Sequence, residues 1–523
     1  MISWKSLKSL QSILSCSSQV NHVVDNDCDI AIIGGGLCGL YCAYMLSKET
    51  NYNIHIFERL AYLGGRIVTK RHDNFLIEYG PAQFEPGTQT KLMKLVRDLN
   101  IDVTHFSSTT STPTTYIKKA PNYSKLLPEE IEIFDLELLC NKKLPDPMIL
   151  IMHCIKKILR PQFDVFRKYH DRNREKLQQF VRDVAKYEEK FIHDYEALEL
   201  IKLVVSSACL EYIIQDGNFS YIVNKNTNAS EFICLFIDLF AKFKWDFISI
   251  NGGMHMIIDQ LHNALNEKVT IHYSNELSQI EEIQNPLNHK LSFNTGICTI
   301  CKHVILTCPP EKILTIQGIP RQISNTIKFN LKRVKLFKIF VIIENPPWAE
   351  GTMELMTDIP CREIQHFVDN NNEGKLVFYG EEPQRKLWLN SEPEYKLTDR
   401  ETSILLRNKV SEILRASYPN HNTWKIKVIE MNDWYSKPKL GIYLWHPGVD
   451  SDMIINNVAS FSLTSAHEKN VHICGETFSN YQCFMEGALQ SAQNVVLQIQ
   501  NNNNYKYHSE RFSFETLYAG RVG

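Results

Sequence analysis

Much is missing from this chain of 523 residues. No apolar run reaches the length of a membrane-spanning helix, and the Asn-rich "IQNNNNYKYHSERF" near the end is too polar to anchor one. Neither charge is in excess: 57 Lys and Arg stand against 59 Asp and Glu, a net charge of -2. That balance argues against nucleic-acid binding by bulk charge. The lone C-x-x-C, Cys298 and Cys301, has no second pair to complete a zinc site, so no metal is expected. No internal repeat is visible. No acid precedes Asp25 in a Ser-rich leader where Trp4, Leu7, Leu10 and Leu14 could share a helix face. A transit peptide or an undedicated polar leader fits this; a secretory signal would need the continuous apolar core it lacks. Proline is absent between Pro161 and Pro286, and "KLQQFVRDVAKYEEKFIHDYEALELIKLVV" within that span has helical spacing.

What is present is ordinary for a soluble globular protein: 44% hydrophobic and 22% charged residues. A chain this long outgrows one hydrophobic core, so two or three interleaved domains are expected. The 14 cysteines are scattered and read as reduced thiols, which favours an intracellular setting. Cys38 and Cys42 fall on a predicted helix, where packing is their default role. The N-x-S sequons at Asn122, Asn218 and Asn228 matter only if the chain is secreted.

One segment carries a mechanism of its own. "DIAIIGGGLCGLYCAYMLSKETNYNIHIFE" reads strand, Gly loop, helix, strand. Gly34 permits the tight turn, Gly36 lets the backbone approach a pyrophosphate, and Gly39 lets helix pack on strand. The helix N-terminus faces the phosphates with its partial positive charge. Glu58 ends the second strand, where an acid accepts hydrogen bonds from a ribose. "LGGRIVTK" follows, with backbone donors at Gly64 and Gly65 and a cation at Arg66.

Over nearly its whole length the chain resembles the flavin-containing amine oxidase family. The likeness rests on "DIAIIGGGLCGLYCAYML", "IFERLAYLGGRIVTK", "FLIEYGPAQF", "INGGMHMIIDQL", "KIFVIIENPPW", "DWYSKPKLGIYLWHPG" and "CGETFSNYQCFMEGALQSA". "YGPAQFEP", "KIFVII" and "TDIPCREI" are most similar to the L-amino-acid oxidase branch. The resemblance implies an α/β (α+β) protein: a Rossmann-like FAD-binding domain interleaved with a mixed-sheet substrate domain and a helical insertion. Residues 27–90, 245–328 and 430–500 would form the first, 91–130 and 329–429 the second, and 131–244 the insertion, with polar tails at 1–26 and 501–523.

The implied reaction is oxidation of a C–N bond in a small-molecule amine or L-amino acid. Hydride passes to flavin N5, the imine hydrolyses, and dioxygen is reduced to hydrogen peroxide. A polyamine oxidase, with an acidic entrance built from Glu344, Glu350 or Glu354, is an alternative, as is a flavin-binding interaction protein without turnover. A homodimer is left open. FAD is expected against Gly34, Gly36, Leu37, Cys38 and Gly39 of the loop, against Glu58 and Arg59, and against Gly64, Gly65 and Arg66. It is also expected against Gly80, Pro81, Ala82, Gln83, Leu277 and Trp434, and against Gly475, Glu476, Phe484 and Met485. Tyr443 and Phe484 would flank the amine, and the helix starting near Phe484 would point its N-terminus at the flavin.

The stretch "LFKIFVII" holds one lysine among apolar residues. Read alone, Lys338 belongs on an edge strand with its ammonium in water. The resemblance offers another role: family members carry a lysine ten positions before a tryptophan, here Trp348, holding a water near flavin N5. Three departures accompany the likeness. Ile442 occupies the position of the flavin-linking Cys, so FAD should be non-covalent. Gln83 replaces the Arg that clamps a substrate carboxylate. Cys483 replaces the usual Gly before the aromatic.

Overall fold

The computed structural model describes residues 27–501, except 73–74, 106–114, 117–121, 140–146, 160–161, 163–173, 217–226, 241–246, 266, 284–287, 349–353, 356–360, 362, 369–371, 390–397, 435–440 and 465–468. The N-terminal leader, the sequon at Asn218, Glu350 and most of "TDIPCREI" therefore lie outside the described residues. Among those described, no helix is long and apolar enough to cross a membrane.

The Gly-loop segment folds as β1 (Cys28–Ile33), α1 (Leu37–Glu49) and β2 (Ile54–Phe57). β1 pairs in parallel with β2 and with Cys298–Leu306. It is the near-continuous apolar run expected of a strand covered on both faces. Ile30 and Ile32 pack with α1 and the C-terminal helix Met485–Gln500. Ala31 and Ile33 pack on the other side, with Ile454 and Val458 of the helix Ser451–Ala459. Strands Val269–His272 and Val471–Ile473 extend the parallel pairing, while Asn288–Phe293 and Leu277–Ile283 continue the sheet antiparallel.

The second sheet has four strands in the order Glu363–Val368, Glu373–Glu381, Leu336–Glu344, Lys425–Asp433, all antiparallel. The strand with Lys338 thus lies between two partners. The edge-strand reading fails: Lys338 is 7% exposed. The other face of its strand, with Ile339, Val341 and Ile343, packs on Val410 and Leu414 of the helix Asp399–Ser417. Lys338's own face, with Phe340 and Ile342, is covered by Phe75 and Ile77 of a hairpin, Thr69–His72 and Phe75–Glu78.

The helices between residues 128 and 240 enclose a hydrophobic core of their own, from Phe134 to Ile237. The long helical pattern in this span is broken, however. The helix Arg174–Asp183 ends, and a small hairpin, Lys186–Tyr187 and Lys190–Phe191, follows. Glu188 turns it at φ +53°. Gln162 exchanges side-chain bonds with the backbone of Lys186, at 3.1 and 3.3 Å, replacing bonds a helix would make. Packing and pairing also run across two of the expected boundaries. Leu92, Leu95 and Val96 of the helix Thr90–Asp98 pack with α1, and the strand crossing residue 430 pairs with the Lys338 strand as far as Asp433. Asn228 is fully buried and donates to the carbonyls of His446 and Val449, at 3.3 and 3.1 Å, so its sequon offers no glycan site.

Candidate cofactor and active site

Gly34 takes φ +119°, and a Cβ on Gly39 would lie 2.0 Å from the Gly34 carbonyl oxygen. Only glycine fits both places. Gly36 differs: a Cβ there would meet its nearest protein atom 4.0 Å away, at Gly64, so the space above it is open. Gly36 also precedes α1 without any side-chain cap on the helix. The Leu37 amide faces the Gly64 carbonyl in the bridge between the two Gly segments, and the next amides of α1, at Cys38 and Gly39, are left for an anion. Gly64 donates to the Gly35 carbonyl at 2.9 Å, which brings the second Gly pair beside the first. The buried Glu58 accepts from the amides of Gly35 and Leu60, both at 2.8 Å. Arg59 follows it, half-buried. These residues fit a dinucleotide: Gly36 and the start of α1 would take its pyrophosphate and Glu58 its ribose.

Arg66 and Glu476 pair at 2.6 Å, and Arg66 also donates to the Gly441 carbonyl at 2.9 Å. Glu476 accepts the Cys483 amide at 2.9 Å. That bond fixes the turn before Phe484, which is the N-cap of the C-terminal helix and, like Gly36, brings no capping side chain. Cys483 stands at φ +76°, the left-handed region that explains why glycine is the usual residue there. Phe484 meets Tyr481 edge-on at 5.1 Å. Met485 is buried as the first residue of that helix.

Lys338 reaches across to the hairpin. Its ammonium donates to the carbonyls of Glu78, at 3.1 Å, and Gly80, and stands 4.6 Å from the Tyr379 ring centroid. A Cβ on Gly80 would lie 2.0 Å from the Arg66 carbonyl, so the Lys338 contact and the Arg66–Glu476 pair adjoin. Trp434 donates to the Tyr79 carbonyl at 3.1 Å in the same group. Trp348, by contrast, is buried in the core behind the strand. Pro81, Ala82 and Gln83 continue from Gly80 as half-buried backbone.

Tyr443 is almost fully buried, and its hydroxyl donates to Glu311. Arg333, opposite Tyr443 in the two-stranded sheet, pairs with the same carboxylate at 3.5 Å and donates to the Trp434 carbonyl at 3.3 Å. Leu277 is the outlier. The Asn275 amide binds the Glu58 carbonyl, so the segment lies at the right strand end, yet the Leu277 side chain packs in the core. Only its backbone is available to a cofactor.

The sequence reading missed four residues here. Glu311 gave no signal. Cys474 joins Cys38 and Cys42 only through the fold. Glu486 is buried at the start of the C-terminal helix and accepts the amides of Lys91 and Leu92, at 3.1 and 2.9 Å. Lys375 carried the signal that marked Lys338, a lysine on an apolar strand. It donates to the Leu76 carbonyl at 3.1 Å, and burial lowers its pKa to about 8. Between the two lysines, burial holds Glu78 above the usual carboxylate range despite bonds from Met254 and Thr69.

Comparison with known proteins gives the chain's family and fold. Residues 37–499 match the family described as flavin containing amine oxidoreductase. The L-amino acid oxidase bordonein-L of Crotalus durissus terrificus is 19% identical over 392 residues, 68% of this chain and 67% of that one. A coproporphyrinogen III oxidase of Staphylococcus aureus is 35% identical over 82 residues, which is 16% of this chain and 17% of that one. Among solved structures, a double mutant of putrescine oxidase superposes with a TM-score of 0.65 at 14% identity, covering 91% of this chain and 99% of its own. Wild-type putrescine oxidase bound to putrescine gives a TM-score of 0.60 at 14% identity, covering 91% of this chain and 100% of its own. At these identities the structural likeness establishes the fold.

Proposed function

The chain belongs to the flavin-containing amine oxidoreductase family, and from that premise we propose that it is an FAD-dependent oxidase of amines without a carboxylate. When bound, FAD supplies the redox chemistry, taking a hydride equivalent from the substrate and passing electrons to dioxygen to give hydrogen peroxide. The protein's part is binding, orientation and electrostatics. The observation that carries the reading is Lys338: a cation buried in the middle of a sheet and tied to Gly80, beside the Arg66–Glu476 pair. An ammonium held there stabilises negative charge that develops beside it.

Tyr443 and Phe484 supply the aromatic walls that orient an amine and exclude water. Glu311 fixes the Tyr443 ring through its hydroxyl. The C-terminal helix, whose N-terminus has no side-chain cap, would favour negative charge on a flavin held there. Ile442 in place of a linking cysteine supports non-covalent FAD. The cysteines among the described residues are free thiols.

Substrate class turns on the missing clamp. Gln83 cannot make the paired charge-assisted bonds of a guanidinium. Arg333, the nearest cation to Tyr443 by strand register, is engaged by Glu311 and the Trp434 carbonyl. Relatives named as L-amino acid oxidases and structures named as putrescine oxidases mark the two alternatives. The state of Gln83 and Arg333 favours the amine. Hydrogen bonds to charged groups contribute roughly 1.5–3 kcal/mol each, so an amino acid loses about tenfold or more in affinity. The test is a paired peroxide assay, tyramine against L-tyrosine and phenylethylamine against L-phenylalanine, with anaerobic bleaching of the flavin. The amines should show the higher kcat/KM; the reverse order would return the chain to amino-acid oxidation.

A further inference from the structure

Three cysteines from opposite ends of the chain meet beneath the dinucleotide loop. Cys38 and Cys42 lie one turn apart on α1 and share a face. Cys474 immediately precedes Gly475 and Glu476. Its Sγ is 3.4 Å from that of Cys38 and 3.8 Å from that of Cys42, and all three sulfurs fall within 4.8 Å of one another. Cys42 and Cys474 are closed off, at 0% and 1% exposed, while Cys38, the outermost of the three, keeps 6%. Ala488, Leu489 and Ala492 of the C-terminal helix belong to the same core.

The three thiols are not equivalent. Cys38 is in the first turn of α1, where the partial positive charge of the helix favours a thiolate. The neighbouring Cys42 and Cys474 sulfurs, with Ser491 and Arg66 nearby, hold it well below the ordinary thiol range. Burial pushes Cys474 well above that range. Two thiols of unequal acidity whose sulfurs lie 3.4 Å apart are the arrangement that disulfide chemistry requires.

We propose that Cys38 and Cys474 form a reversible disulfide, with hydrogen peroxide as the oxidant, that clamps α1 to the Gly475–Glu476 turn and slows release of FAD. The Cys38 thiolate attacks peroxide, forming an S–O bond and breaking O–O; the departing hydroxide takes up a proton as water. The Cys474 sulfur then attacks the sulfenic sulfur of Cys38. The S–S bond forms, the S–O bond breaks, and the hydroxyl leaves with the Cys474 proton as a second water. Two thiols and one peroxide thus become one disulfide and two waters. Peroxide as a product of the enzyme's own turnover rests on the function proposed above; the thiol chemistry itself does not.

A metal suits this site less well. All three thiols would have to lose protons in apolar surroundings, and Arg66, the cation acting on Cys38, is already paired with Glu476 at 2.6 Å. A disulfide leaves no net charge behind.

The experiment treats the full-length FAD-loaded protein with added peroxide, blocks remaining thiols, and maps peptides without reductant. The expected result is a linked pair of peptides containing Cys38 and Cys474, with the chain lighter by one pair of hydrogens and the link reversed by dithiothreitol. FAD release into urea should be severalfold slower in the linked form. Cys474→Ser should abolish the link and Cys42→Ser should retain it; if either variant fails to fold, the wild-type map still decides. Three equally alkylated cysteines after peroxide would overturn the proposal. So would stoichiometric metal in the purified protein, or unchanged FAD release in the linked form. A protein that links but oxidises no amine refutes the functional reading alone, and one that oxidises amines without linking refutes this one alone.

Discussion

Lowering the pH from 7 to 5 should destabilise the fold through histidines in the cofactor-side sheet. The rings of His55 and His272 meet at 3.2 Å, and those of His303 and His472 at 3.3 Å. Burial, reinforced by the neighbouring imidazoles, lowers His55 to about 4, His303 to about 4 and His472 to about 3, from an ordinary 6.5. Depressed values mean that the unfolded chain takes up protons first. Their contribution to stability is therefore complete above 6.5 and is lost as pH falls from 6.5 toward 4. One histidine shifted from 6.5 to 4 loses about 2 kcal/mol between pH 7 and 5. His303 and His472 share a contact and are counted as one group, which together with His55 gives about 4 kcal/mol rather than the sum of three. Glu78 and Glu486, both raised by burial, act in the opposite direction: the burden they place on stability at neutral pH lifts as they protonate. The assay is urea unfolding of the FAD-loaded protein at pH 7, 6 and 5. A His55→Gln, His303→Gln double variant keeps polar groups in place without titrating, and should lose about half the pH dependence. A double variant with the wild-type dependence would refute the assignment.

Lys338→Met should keep FAD but lower turnover about a hundredfold, the scale for removing a preorganised charge from a reacting centre; stopped-flow reduction and reoxidation at wild-type rates would exclude a role for the ammonium. Cys483→Gly should stabilise the protein by about 1 kcal/mol, because an L-residue at left-handed φ costs roughly that much, and a lowered urea midpoint would contradict it. Heat or acid precipitation should leave the flavin in the supernatant, whereas yellow colour in the pellet would disprove non-covalent binding at Ile442.

The parts legible in sequence were those whose physics is local. The three loop glycines, the strand-end Glu58 and the uncapped start of α1 each follow from a few neighbouring residues, and the structure assembles them as a cradle. Lys338 was legible as an anomaly; its burial depended on two strands, Glu373–Glu381 and Lys425–Asp433, that the stretch itself does not reveal. Periodicity misled between residues 184 and 191 because tertiary bonds from Gln162 outweighed helical spacing. Glu311, Cys474 and the histidine pairs stayed hidden for another reason. Each acquires its meaning from a partner over a hundred residues away, at Tyr443, Cys38, or across His303 and His472.

The parallel pairing of β1 with Cys298–Leu306 also bears on how the chain is made. Cys28 meets Cys301 in that ladder, so about 270 further residues must be synthesised before the first strand has this neighbour. At about 5–20 residues per second, the apolar "CDIAII" waits roughly 14–55 s with one edge unpaired. Glu476, the partner of Arg66, leaves the ribosome later still. No nascent chain can close the flavin site until almost all of it has been translated, and until then the apolar edge of β1 is open to pairing with other chains.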